Sequence, residues 1–163
     1  NKFDDGEQVR FTSVWRSDVT HLVTCANKST HQMLEVQTGK YYEAIMAGVW
    51  VLCFDWTDAS MTEDRLVCED EYEVRGDSKG IGGCRRSREM RATQPNHKLF
   101  HDVVCVISSD FETMGAWDAM RNMFTLGGAT ILEKLQDLEV EHRNGKTRVF
   151  VYDPDKHSLT DEE

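Results

Sequence analysis

Proline is nearly absent: two residues in 163, so little in the chain interrupts regular structure. Eleven glycines are too few for a fibrous or low-complexity chain. Basic charge is in deficit, with 19 Lys and Arg against 29 Asp and Glu, a net charge of −10. That balance argues against a general nucleic-acid or membrane-surface binder. No apolar run approaches the roughly 18 residues of a membrane span, and no signal peptide is present. The expectation is therefore a soluble, non-secreted protein. The five cysteines, Cys25, Cys53, Cys68, Cys84 and Cys105, form no C-x-x-C pair. Cys25, Cys53 and Cys105 lie in apolar runs and read as buried thiols in a reducing compartment. The six histidines stand at no ligand spacing from the cysteines, so no metal and no cofactor is expected. Catalytic signatures are missing too. There is no G-x-S-x-G and no phosphate loop, and "GIGG" at Gly80–Gly83 lacks the spacing of one. The sequence starts at Asn1 without a methionine and reads as a piece of something larger.

What is present is an α/β pattern, with 39% hydrophobic residues to build a core. "VRFTSV", Val9–Val14, alternates like a strand, and "THLVTC", Thr20–Cys25, is a second, more apolar one. A helix over Thr38–Ala47 follows, with Gly48 as its stop, then a strand over Val49–Phe54. "DWTDASMTED", Asp55–Asp64, reads as a short helix capped by Asp55. The interval Glu73–Lys98 is rich in glycine and charge and has linker chemistry. Its basic run, "RRSREMR" at Arg85–Arg91, reads as a solvated linker helix or as a contact for nucleic acid or an acidic nucleosome surface. Beyond it come a buried strand, Asp102–Ser108, and a helix over Met114–Leu126 stopped by Gly127 and Gly128. "ATILEKL" and "TRVFVYD" are two more strands. The two halves resemble offset windows onto one plan: strand, helix, strand, strand, helix, strand, helix.

One residue sits oddly. Lys40 stands in the first turn of a helix that Thr38 can cap, where a cation opposes the helix dipole by about 0.3–1 kcal/mol. A bound anion would resolve this, because a helix start offers free N–H groups and partial positive charge. A solvated lysine reaching into water would resolve it equally well.

"VTHLVTC", "TGKYYEAIMAGVWVLCFDWTDAS" and "EYEVRGD" together resemble the first repeat of the tandem BRCT family, named for the C-terminal repeat of the breast cancer susceptibility protein. The carriers are Thr20, His21, Leu22, Val23, Thr38, Lys40, Gly48, Trp50 and Trp56. "KLFHDVVCVI…GGATIL" resembles the family's linker and second repeat, so the likeness covers nearly the whole chain. Within the family, "EYEVRGD" is similar to the breast cancer type 1 susceptibility branch, and "RRSR…KLF" to its RING partner, BARD. The resemblance implies two BRCT repeats in tandem, each a small parallel four-stranded sheet flanked by helices. The first would span 1–74 and the second 99–163, with 75–98 between them. Both would be incomplete: the first lacks a strand bearing a serine–glycine pair, and the second the helix, strand and last helix that should follow. Losing that inner strand would leave strands unpaired and an apolar face open.

The resemblance also implies a function: binding phosphoserine peptides of the pSer-x-x-aromatic type in DNA-damage signalling in the nucleus. Thr38 and Lys40 would hold the phosphate. Gln37 stands where the family often has an arginine that fixes the peptide backbone, and Tyr42 where an aromatic lines the cleft. Tyr42 reads equally as core packing, and Trp50 and Trp56 read as structural. This chain would be non-catalytic. The longer protein would act as a RING-type ubiquitin ligase with a RING partner bound outside these residues. The alternative is a phosphate-independent scaffold for protein or nucleosome contact, which Gln37 and the missing serine–glycine pair favour.

Overall fold

The computed structural model describes residues 9–33, 39–95, 98–109, 116–141, 145–153 and 155. The chain divides into two compact units, residues 1–95 and 96–163.

In the first unit, strand β1 (His21–Thr24) and strand β2 (Trp50–Cys53) flank helix α1 (Gly39–Ala47) in sequence. β1 and β2 pair in parallel, with His21 opposite Trp50 and Thr24 opposite Cys53. The expectation that strands of this sheet stand unpaired is corrected for β1 and β2, which pair with each other. Only the outer edge of β1 has no ladder partner among the described residues. Beyond β2 the chain returns, and the Val74 N–H donates to the Val51 carbonyl at 2.8 Å. Tyr41, Ala44, Val51, Val74 and Cys84 form one buried cluster, and Leu52, Trp56 and Val67 form another. Val51 and Leu52 alternate between them, as neighbours on a strand must.

Three expectations need correction. Val9–Val14 forms no strand. Its alternating pattern specifies a strand only where a neighbour completes the ladder, and Phe11 and Val14 stand 74% and 68% exposed. Asp55 does not cap the next helix, α2 (Asp55–Glu63). Phe54 holds that place, with no side-chain bond. Asp55 lies in the first turn, where a carboxylate favours the dipole, 2.9 Å from the Lys28 ammonium. Cys25 is exposed, whereas Cys53 and Cys105 are buried as expected.

The glycine-rich interval holds an ordered helix, α3 (Gly83–Thr93), packed on α1. The Ser87 hydroxyl donates to the Ile45 carbonyl. Gly48 adopts φ +63°, and a Cβ there would lie 2.7 Å from the Cβ of Arg91. Arg88 is far from solvated. It grips Glu73 through two bonds of 2.9 and 3.0 Å and lies 3.5 Å over the Trp50 ring.

The second unit centres on β3 (Val103–Ile107), with β4 (Thr130–Leu132) and β5 (Thr147–Val151) on either side, both parallel to it. Helix α4 (Ala116–Leu126) connects β3 to β4. Met114, the expected first residue of that helix, lies outside the described residues. "ATILEKL" is a strand only through Leu132. From Leu135 to Glu141 the chain is helix α5. The three-residue spacing of Leu132, Leu135 and Leu138 carried that helix signal, and Leu138 is buried against Val104 and Val106. Among the described residues, the four-stranded sheet expected of each repeat is represented by two strands in the first unit and three in the second.

Candidate functional site

The site begins at α1. Its first turn contains no acidic residue, so nothing within the helix offsets the positive end of its dipole. Lys40 adds a second positive charge there. Its side chain is exposed, and the ammonium donates to the Ser13 carbonyl at 2.5 Å. No carboxylate lies within ion-pair distance of it among the described residues. Gln37 and Thr38 lie outside the described residues. Tyr42 is half-buried, packs on the first core cluster, and meets the Tyr41 ring edge-on at 5.6 Å. Two residues along a helix turn the side-chain direction by about 200°, so Lys40 and Tyr42 project from different faces of α1.

The base of α1 is fixed from inside. Tyr41 is buried, and the Cys84 thiol at the start of α3 donates to its hydroxyl oxygen at 3.5 Å. Burial, reinforced by Cys84, pushes the Tyr41 hydroxyl far above its ordinary range. Burial likewise raises the Cys84 thiol. Both groups are therefore neutral packing elements, and neither is a nucleophile or base. At the other end, the Val49 N–H donates to the Ala44 carbonyl and the Gly48 N–H to the Ile45 carbonyl, which closes the helix.

His21 is fully engaged and has no catalytic geometry. Its ring stacks on Trp56 at 5.2 Å, with one nitrogen 2.8 Å from the Thr20 hydroxyl and the other 3.3 Å from Glu69. Trp56 is buried and donates its ring N–H to the Val67 carbonyl at 2.9 Å. A cleft of about 280 Å³ lies between Asp70, Glu73, Val74, Arg75, Ile81, Gly82 and Arg85. None of the expected site residues lines it, and its charges are of both signs. Among the described residues no cluster of three His, Cys, Asp or Glu side chains could hold a metal ion.

Ser13 is the site residue that the sequence does not announce. It lies 27 residues from Lys40, in a segment whose pattern suggests a strand, and no spacing links the two.

Comparison with known structures decides the fold. The crystal structure of the BRCT5–BRCT6 domains of S. pombe Brc1 superposes with a TM-score of 0.62, at 19% identity, over 85% of this chain and 64% of that one. The fold is a tandem BRCT pair. The region is 29% identical over 156 residues to the breast cancer type 1 susceptibility protein homolog of Mus musculus, covering 94% of this chain and 8% of that protein. It is 28% identical over 155 residues to the BREAST CANCER SUSCEPTIBILITY 1 homolog of Arabidopsis thaliana, covering 95% and 16%. It is 26% identical over 140 residues to the BRCA1-associated RING domain protein 1 of Arabidopsis thaliana, covering 83% and 19%. No protein-family model matches the chain. The tandem BRCT region thus spans less than a fifth of the curated relatives it matches. Both branches named from the sequence resemblance are found among them. Fold and relatives together support a BRCT protein-interaction module. No described helix is long and apolar enough to cross a membrane.

Proposed function

We propose that this tandem BRCT region binds a phosphoserine-containing segment of another protein at the start of α1, with Lys40 as its point charge and Thr38 beside it. The observation that carries this reading is a first-turn lysine with no carboxylate partner among the described residues, on a helix start with no acidic residue. A dianionic phosphate relieves both the dipole and the charge, and an ammonium serves it as a point charge without a forked geometry. Gln37 contributes hydrogen bonds to the peptide backbone and Tyr42 an aromatic wall. On the same reading the region works in the nucleus, in a DNA-damage response protein. That protein joins a RING-type ubiquitin ligase complex through residues outside this chain.

A second reading, a phosphate-independent scaffold, is favoured by one observation: the Lys40 ammonium already has a hydrogen-bond acceptor in Ser13. The basic α3 lends that reading little support. Arg88 is committed to Glu73, and Arg85 pairs with Glu89 at 2.8 Å. Calorimetric titration with a phosphorylated peptide and its unphosphorylated twin separates the two. The first reading expects binding that depends on the phosphate, and equal affinities would support the scaffold.

A further inference from the structure

Ser13 offers Lys40 two polar groups, and one of them is in use. The ammonium takes the Ser13 carbonyl at 2.5 Å. The Ser13 hydroxyl makes no hydrogen bond among the described residues. The neighbouring hydroxyl differs. Thr12 donates to the Val14 carbonyl at 3.0 Å and accepts the Val14 N–H at 3.1 Å. Both residues are exposed, but Thr12 is committed to its own turn and Ser13 is not.

The surroundings of Ser13 suit a modifying enzyme that reads positive charge. Arg10 stands three residues before it, with a side chain 81% exposed and only a loose 3.7 Å approach to Asp18. Arg16, three residues after it, is closed on the same Asp18 by two bonds of 3.0 and 3.1 Å. Arg10 is therefore the cation left to meet an acidic pocket from outside. Protein kinases select their serines by such charge patterns.

We propose that Ser13 is a phosphorylation site for an arginine-directed protein kinase, and that its phosphate binds Lys40 within the chain and closes that site to partners. The Ser13 Oγ attacks the terminal phosphorus of ATP, the bond to ADP breaks, and the hydroxyl proton leaves through the kinase's base. The product carries about −1.5 to −2 charge and three acceptor oxygens. They stand on the residue whose carbonyl already holds the ammonium, and the flexible lysine stem reaches either group. The phosphate displaces the carbonyl, because a hydrogen bond between ions is about twice as strong as a neutral one. The chain itself is the tether, so the phosphate is presented to Lys40 at an effective concentration on the order of mM. The closing of the site to partners rests on the phosphoserine reading of Lys40. The modification and the ion pair within the chain do not.

The test incubates the intact chain with ATP and a purified arginine-directed kinase, and locates the phosphate by mass spectrometry. It should appear on Ser13 and not on Thr12, and more slowly in the Arg10→Ala chain. Acylation of the Lys40 amine should then slow, because an opposite charge beside it favours the unreactive ammonium. Ser13→Ala keeps the carbonyl and should show no such slowing after the same treatment. A phosphoserine peptide should bind the phosphorylated chain about tenfold more weakly, close to the loss of one charged hydrogen bond. Its unphosphorylated twin should be unaffected. Phosphate on Thr12 in place of Ser13, or an Arg10→Ala chain modified at the parent rate, overturns the site. Phosphate on Ser13 with unchanged Lys40 acylation overturns the ion pair. Slowed acylation with unchanged phosphoserine-peptide binding leaves the modification and the ion pair standing and contradicts the phosphoserine reading of Lys40 instead.

Discussion

Trp56 joins the two strands of the first unit to the helix that follows them. It lies against Leu52 and Val67, holds His21 by stacking, and satisfies its ring N–H on the Val67 carbonyl. Trp56→Ala removes that packing and leaves the carbonyl without its donor. The expected cost is about 3–5 kcal/mol, comparable to the whole margin of a small domain. A thermal melt of the first unit within a few degrees of the parent would contradict this. The buried acids behave differently from the tryptophan. Burial lifts the Cys105 thiol from 9.0 to about 11 and raises Cys84 and Tyr41 in the same direction. The unfolded chain ionises these groups first, so their contribution is complete below pH 9 and is lost as pH rises through the folded values. Urea midpoints should therefore fall between pH 9 and about 11. The Cys105→Ala variant, weaker throughout, should lose less over that interval, and a parallel decline would contradict the assignment. Trp56 was legible as structural because a large aromatic side chain is most often buried in a core. Cys25 was not legible, because its apolar run ends one residue earlier than the pattern suggests.

The elements that the sequence made plain are those whose pattern reports burial on both faces. β2 and β3 read as continuous apolar runs because a parallel strand is covered from both sides. Val9–Val14 misled because a strand pattern states a preference that only a neighbour can satisfy. α5 was hidden because Leu135, its first residue, was read as the end of the strand that begins at Ala129. α3 was taken for linker because its charge is conspicuous, while its docking depends on contacts distant in sequence: Ser87 on Ile45, Cys84 on Tyr41, and Arg88 on Trp50 and Glu73. Two variants test that docking. Arg88→Met leaves the 6%-exposed Glu73 carboxylate without its partner, at an expected cost of about 3–5 kcal/mol. Combining it with Glu73→Gln should recover much of the loss, and additive losses in a double-mutant cycle would show that the pair does not act as a unit. Gly48→Ala forces a Cβ into left-handed backbone and against Arg91. It should cost at least about 1–2 kcal/mol, and an unchanged melting temperature would mean that α3 does not rest on α1.

At the scale of the whole chain, a glycine-rich, charged interval between two apolar α/β stretches was enough to indicate two repeats, and the chain does form two compact units. The fold and its relatives were reachable because part of the BRCT pattern, Leu22, Val23, Trp50 and Trp56, lies in or against the core of the first unit, where spacing reports structure directly. The candidate site was only half legible. Lys40 stands out against the helix dipole, but its present partner, Ser13, comes from a segment that no local rule connects to it. Whether Lys40 serves an anion is the central claim, and one measurement addresses it most directly. A phosphoserine peptide and its unphosphorylated twin are titrated calorimetrically against the parent chain and against Lys40→Met. That variant keeps most of the side-chain stem, removes the charge, and at an exposed position should shift stability by no more than about 0.5 kcal/mol. The account expects the phosphorylated peptide to weaken by roughly 1.5–3 kcal/mol and the unphosphorylated one to be unaffected. Equal losses for the two peptides, or no loss for either, would contradict it and return Lys40 to the solvent.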